Sequence, residues 1–217
     1  MAYQLVVADK TYSSWSLRPW LMMRVAGIPF AEVNVRLGLP GQQGTFLDQS
    51  PAGKVPVLRD GDTVVWDSLA ILEYLAERHP EAHVWPADPA ARAEARSVSA
   101  EMHSGFPDLR RVLGMNLRRP PAPVEQDEGT RRDVARIRQL WQAARGRFGR
   151  GGPFLYGRFS AADAMYAPVV TRFETYAVPV DGPVRTYMNA VLALAPMQEW
   201  YDAARREPPS LRDQVQP

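Results

Sequence analysis

"KVPVLRDGDTVVWDSLAI" occupies residues 54–71, and how it reads decides the fold. Two short β-branched runs, "KVPVL" and "TVVW", flank Asp60-Gly61, a pair suited to the positive φ of a tight hairpin. Pro56 lacks an N–H, which fits a trans residue on an edge strand; the alternative is a cis bond that turns the backbone of Val55 toward a ligand. "DSLAILEYLAERH" (67–79) then carries the apolar spacing of an amphipathic helix, with Arg78 and His79 in its last turn and Pro80 to end it. Asp67 and Ser68 at its start serve either as caps or as holders of an ammonium and a carboxylate.

Upstream, "YQLVVA" (3–8) is a buried-strand run, and "LRPWLMMRVAG" (17–27) sets Leu17, Leu21 and Val25 at helical spacing with Gly27 as a stop. "AEVNVRL" (31–37) alternates as a strand. The order βαβ, then ββα, predicts a small sheet, parallel in its first half and antiparallel in its second, with helices packed on it. After Pro80 no strand pattern is found. "HPEAHVWPADP" reads as a linker, with Asp88 as an N-cap and Pro89 in the first helical position. One long helix begins there, bent near Gly105 and Pro107. "RRPPAPVEQDEG" is a loop, "RRDVARIRQLWQAARGRF" a second helix, "SAADAMYAPVVTRFETYA" an apolar third, and two shorter helices fall around 184–206. The chain therefore divides into an α/β unit over 1–80, a linker over 81–89 and an all-helical unit over 90–217.

The totals exclude several classes. The 217 residues contain no cysteine, which rules out disulfides, thiolate metal sites and a thiol nucleophile of the protein's own. His79, His83 and His103 lack metal-ligand spacing, so no metal is expected. Net charge is only +2, and the arginines that dominate it are scattered; a nucleic-acid partner calls for a concentrated patch. No apolar run approaches the ~20 residues that span a bilayer, and "MAYQLVVADK" has no basic leader region. The expected location is cytoplasmic.

"TYSSWSLRPW" (11–20) sets three serines and a tryptophan at a strand-to-helix junction. Proline in a helix interior costs ~3 kcal/mol. Taking Ser16 as the N-cap puts Pro19 at the third helical position, where its missing N–H has no helical partner. Ser13 and Ser14 then lie on the loop facing the positive end of the helix, where an anion is favoured. Read alone, the stretch is more simply explained by turn and cap residues. A further pair, Ser160 and Asp163 in "FSAAD" (159–163), has capping-box spacing, with Asp in place of the usual Glu or Gln.

In order, S-S-x-S-x-R, K-V-P-V-L, D-S-L-A-I, a linker and a helical half opening on S-x-x-D resemble the cytosolic glutathione transferases over essentially the whole chain. "SSWSLR" is similar to the S-S-C-S-W-R segment of the zeta class, the maleylacetoacetate isomerases, with Trp15 where that class has cysteine. "EMHSGFPDLRRVLGMNLRRP" (101–120) resembles a bacterial subgroup of the family. The resemblance implies a thioredoxin-like N-terminal domain that binds glutathione and a helical domain that shapes the second-substrate pocket. It implies catalytic Ser13, five residues before Arg18, or Ser14, the catalytic position of some other classes. Around them, Ser16 and Arg18 would support the glutathione site. Val55, preceding a cis Pro56, would pair its backbone with the cysteinyl unit. Asp67 and Ser68 would hold the γ-glutamyl end, and Lys54 would reach the glycyl carboxylate. Ser160 and Asp163 match a structural folding box.

Candidates for the second-substrate pocket are Tyr12, Trp15, His103, Arg110 and Asn116. Tyr12 and Trp15 serve equally as interface packing, His103 equally as a packed helix residue, and Arg110 and Arg111 more simply as a solvated face. The implied activity is transfer of the glutathione thiolate to an electrophilic small molecule or a peroxide, with a homodimer as the usual assembly. The alternatives are isomerisation of a cis enediacid and a non-catalytic binding module on the same fold. Trp15 weighs against the isomerase, and the absent cysteine against mixed-disulfide reduction of the omega or beta type.

Overall fold

A computed structural model of the chain describes residues 3–36 and 48–209. Four strands form one sheet in the order β2-β1-β3-β4: β1 (Tyr3–Ala8), β2 (Phe30–Val35), β3 (Val57–Asp60) and β4 (Thr63–Trp66). β1 pairs parallel to β2 and antiparallel to β3, with Leu5 opposite Leu58. β3 and β4 close as a hairpin in which Asp60 faces Thr63. Gly61, at φ 57°, supplies the backbone conformation that this loop requires. β1 is buried on both faces beyond Gln4, as its unbroken apolar run demands. The expected mixed sheet is present. Leu37, the last residue of the expected second strand, lies outside the described residues.

Helix α1 (Ser14–Val25) crosses from β1 to β2, and α2 (Ser68–Arg78) follows the hairpin. The remaining elements are helical: α3 (Pro89–Ser104), α4 (Pro107–Val112), α5 (Glu128–Phe148), α6 (Ala161–Thr175), α7 (Gly182–Leu192) and α8 (Ala195–Arg206). α6 is buried along almost its whole length and packs against α1, α3 and α7. Trp141 of α5 meets Tyr166 and Phe173 of α6 and Tyr187 of α7 through ring contacts of 5.0–5.7 Å.

Two expectations are corrected. The N-cap of α1 is Ser13, not Ser16, and Pro19 lies inside the helix. The ~3 kcal/mol penalty of an interior proline is real. However, the helix buries Leu17, Trp20, Leu21, Met22 and Met23, each worth ~1.5–3 kcal/mol, so packing outweighs it. Ser16 turns inward instead, and its hydroxyl accepts the N–H of Ala8 at 3.1 Å, fastening the end of β1 to α1.

The single long helix expected after Asp88 is two helices. Pro107 disfavours helical backbone at the residue before it, and Phe106 takes a left-handed conformation at φ 61°. α3 therefore stops at Ser104.

Asp163 closes the start of α6. Its carboxylate accepts the N–H of Leu155 (3.0 Å), the N–H of Ser160 (2.9 Å) and the Ser160 hydroxyl (3.0 Å). Burial pushes its pKa up to about 6, and those hydrogen bonds oppose the rise. Asp163→Ala leaves these donors without an acceptor at ~1–3 kcal/mol each. Thermal unfolding should fall by roughly 6–36 °C, with Asp163→Asn losing less. Because the folded-state pKa is raised, this carboxyl's contribution is complete below its ordinary value of 3.8 and is lost as pH climbs through about 6. The Asn variant should lack that component.

Candidate functional site

A cleft of about 820 Å³ opens between the sheet side and the helices. One wall comes from the first part of the chain: Tyr12 to Trp15, Ala52 to Pro56, and Trp66 to Ser68. The facing wall is helical, with His103 from the last turn of α3, Arg110 from α4, Gly114 and Met115 from the following turn, and Arg172 from α6. Of the residues singled out in the sequence, Tyr12, Ser13, Ser14, Trp15, Lys54, Val55, Pro56, Asp67, Ser68, His103 and Arg110 line this one cleft.

Arg18 and Ser16 lie behind the lining. Asn116 does not reach it: its amide oxygen accepts the N–H of Arg118 at 3.1 Å and closes a turn. Arg110, expected more simply on a solvated face, instead faces the cleft. Arg111 keeps to that face, paired with Asp108 and Asp127.

The serine loop is ordered from below. Ser13 caps α1: its hydroxyl meets the N–H of Ser16 at 3.4 Å and the Ser16 hydroxyl at 2.7 Å. Ser14 lines the cleft, and its hydroxyl has no partner among the described residues. The Val55–Pro56 bond is cis.

Asp67 caps α2 from a left-handed backbone at φ 76°, accepting the N–H of Leu69 at 2.8 Å. Its other carboxylate oxygen takes Nε2 of His103 at 2.6 Å. Burial alone would raise the pKa of Asp67. The bond from His103 and the N–H groups of Leu69 and Ala70 outweigh it and hold the carboxyl below its ordinary value.

Two arginines lie on the helical wall, and a third, Arg18 of α1, is buried behind the other. Arg172, almost fully buried, donates to the carbonyl of Leu113 at 2.7 Å. Arg110 donates to the carbonyl of Gly105 at 3.0 Å and to that of Met102. Arg18, without exposed surface, donates to the Ser68 hydroxyl at 3.2 Å. Burial first, and then mutual repulsion, holds Arg18 well below the ordinary arginine value and brings Arg172 to about 10. Burial likewise lowers Arg110, with Asp133 opposing. All three remain cations at neutral pH, so the cleft carries positive charge that Asp67 and Asp133 offset only in part.

Sequence reasoning missed Arg172, and the signal was available: an arginine inside "YAPVVTRF", an otherwise apolar helical run. Trp66, half exposed on the rim, was also missed. Among the described residues, no group of three His, Asp or Glu side chains could hold a metal ion, and no helix is long and apolar enough to cross a membrane.

The chain matches known proteins. The family model for the glutathione S-transferase N-terminal domain matches residues 12–78, and that for the C-terminal domain matches residues 127–207. A zeta-class glutathione S-transferase of Euphorbia esula is 31% identical over 75% of this chain and 74% of its own. Maleylacetoacetate isomerase of Rattus norvegicus is 28% identical over 91% of this chain and 92% of its own. A glutathione transferase homologue from Burkholderia, solved with bound glutathione, shares the fold at a TM-score of 0.71 and 24% identity, covering 95% of this chain and 100% of that one. The chain belongs to the glutathione S-transferase family, with a thioredoxin-like N-terminal domain and a helical C-terminal domain.

Ser13 and Ser14 should separate by stability. Ser13→Ala removes a helix cap worth ~1 kcal/mol and should lower the unfolding midpoint by roughly 2–4 °C. Ser14→Ala should leave it unchanged.

Proposed function

We propose that this chain is a glutathione transferase that holds the thiolate of glutathione at the start of α1 and delivers it to a carboxylate-bearing electrophile. Residues 1–80 form the glutathione-binding part, 81–89 the linker, and 90–217 the part that shapes the electrophile pocket. The observation that carries this reading is the opposition of the two walls. The hydroxyl of Ser14, the Val55 backbone and the Asp67–Ser68 pair lie on one side, and the cations of Arg110 and Arg172 on the other.

Asp67 and Ser68 hold the γ-glutamyl ammonium and carboxylate, Val55 pairs with the cysteinyl unit, and the exposed Lys54 reaches for the glycyl carboxylate. Tyr12 and Trp15 bound the space between the thiol and the electrophile. Ser14 donates its O–H to sulfur, while Ser13 keeps α1 capped behind it. The thiol proton leaves to solvent. The sulfur lone pair then forms a bond to the electrophilic carbon, and either a leaving group departs with its electron pair or an added carbanion takes a proton from water. As a homodimer, the family's usual assembly, the enzyme works in the cytosol.

Magnitudes place the catalytic weight. A thiol of pKa ~8.5 is about 3% ionised at pH 7, and lowering it by ~2 units takes ~2.7 kcal/mol. One hydroxyl bonded to a thiolate (~1.5–3 kcal/mol) and a helix terminus (~0.3–1 kcal/mol) reach that range. The roughly 25-fold gain in thiolate is then cut to a few-fold, because nucleophilicity falls with pKa at β ~0.4–0.5. Most of the rate must come from holding the electrophile in place, which is the work of the arginine wall.

A second reading has its own support. A cis enediacid carries two carboxylates that Arg110 and Arg172 suit, and isomerisation needs only reversible addition and release of the thiolate. Peroxide reduction draws no comparable support from two cations.

Reduced glutathione at ~100 times its Kd should add ~2.7 kcal/mol of stability and raise the unfolding midpoint by roughly 5–10 °C. No shift at millimolar glutathione would sink the reading in favour of a binding module. Ser14→Ala should lower kcat only a few-fold at pH 7 with glutathione affinity retained, since the thiolate lost is largely offset by the greater nucleophilicity of the less acidic thiol. Equal activity would move the role to Ser13. Arg172→Gln should raise KM at least ~10-fold for carboxylate-bearing electrophiles and leave neutral ones little changed. An equal loss for both would remove the arginine from substrate recognition.

A further inference from the structure

We propose that His103 is a positioning residue for glutathione: from the helical half of the chain it fixes the carboxylate of Asp67 in the orientation that receives the γ-glutamyl ammonium. This rests on the reading of Asp67 given above. Asp67 sits at φ 76°, a conformation that side-chain-bearing residues rarely adopt, so its side chain leaves the backbone at an angle that only surrounding contacts can hold. One carboxylate oxygen is taken up by the cap of α2, accepting from Leu69 at 2.8 Å and from Ala70 at 3.4 Å. The other has His103 Nε2 at 2.6 Å. A carboxylate offers about four acceptor sites, so the three bonds orient it and still leave it able to accept from a ligand.

His103 is itself held. Its ring meets Trp15 edge-on at 5.3 Å, and its carbonyl, with those of Met102 and Gly105, lies against the Arg110 guanidinium. Trp15 in turn lies under Arg18 at 4.1 Å, and Arg18 donates to Ser68 at 3.2 Å. The contacts therefore run in a closed circuit, Asp67 to His103 to Trp15 to Arg18 to Ser68, and return to the residue beside Asp67. The two side chains that grip one end of glutathione are thus tied through the helical half to the loop that meets the thiol. His103 is the member through which α3 takes part.

The circuit predicts a defined loss. An Asp67 side chain freed to rotate must be immobilised by the ligand, which weakens glutathione binding roughly 3- to 10-fold. The test is calorimetric titration of reduced glutathione into wild type, His103→Ala, His103→Gln, Asp67→Ala and the Asp67→Ala/His103→Ala double variant. Unfolding midpoints are recorded without ligand.

His103→Ala should weaken binding by that factor, and His103→Gln, whose amide nitrogen reaches about as far as Nε2, should restore most of it. The double variant should bind no worse than Asp67→Ala alone. If His103→Ala binds as wild type while Asp67→Ala does not, the proposal fails and the pair is merely a contact between the two halves. Additive losses in the double variant, or a loss that Gln leaves unrepaired, also overturn it. If Asp67→Ala itself binds normally, the assignment of Asp67 fails first. Should His103→Ala fold poorly, the comparison of His103→Gln with His103→Asn, whose amide is too short, asks the same question.

Discussion

A guanidinium with no exposed surface, that of Arg18, is the constraint around which the site is arranged. Removing a cation from water costs several kcal/mol unless nearby groups compensate. Here one hydrogen bond goes to the Ser68 hydroxyl, while Nε and Nη2 have no hydrogen-bond partner among the described residues. What remains is the field of Asp67, which favours the charge, and the face of Trp15 at 4.1 Å. The compensation comes from the start of α2 and the start of α1 at once. Neither element can shift without exposing that charge to a poorer environment. The positions of the serine loop and the Asp67–Ser68 pair are therefore coupled before any ligand arrives.

The same charge explains why the two walls of the cleft differ in kind. Arg110 and Arg172 repel Arg18 through the low-polarity interior, and no carboxylate hydrogen-bonds any of the three among the described residues. A protein that kept such cations for stability alone would gain by replacing them with apolar side chains. Placed against a cleft, their unspent field attracts an anion.

The parts of the fold legible in the sequence were those set by local chemistry. The Asp60-Gly61 turn, the unbroken run of β1, the Asp88-Pro89 cap and the Ser160/Asp163 pair each act within a few residues, and each forms where the pattern placed it. Pro19 failed as a marker because its ~3 kcal/mol is a local cost, while the gain that overrides it, burial of Leu17, Trp20 and Leu21, comes partly from α6, far along the chain. Phe106 broke α3 through a left-handed turn that Pro107 only hinted at. The cleft residues of the first half followed from motif order. Of the second half, His103 and Arg110 were within reach of the sequence and Arg172 was not, because nothing local announces that an arginine inside the apolar run of α6 will face the same space as the end of α3.

Trp15 shows how a departure from the relatives can be one feature rather than two. The zeta class places a small cysteine at this point, and an indole there looks at first like an obstruction. In the structure the indole meets the guanidinium of Arg18 at 4.1 Å and that of Arg110 at 4.9 Å. Its negative face gives both cations a partner of the kind their surroundings otherwise lack, and its bulk keeps water from the buried one. A cysteine at position 15 would leave both charges to repel each other across an emptier space. The tryptophan and the arginine-rich pocket therefore belong together: the residue that narrows the cleft is the one that makes its positive charge tolerable.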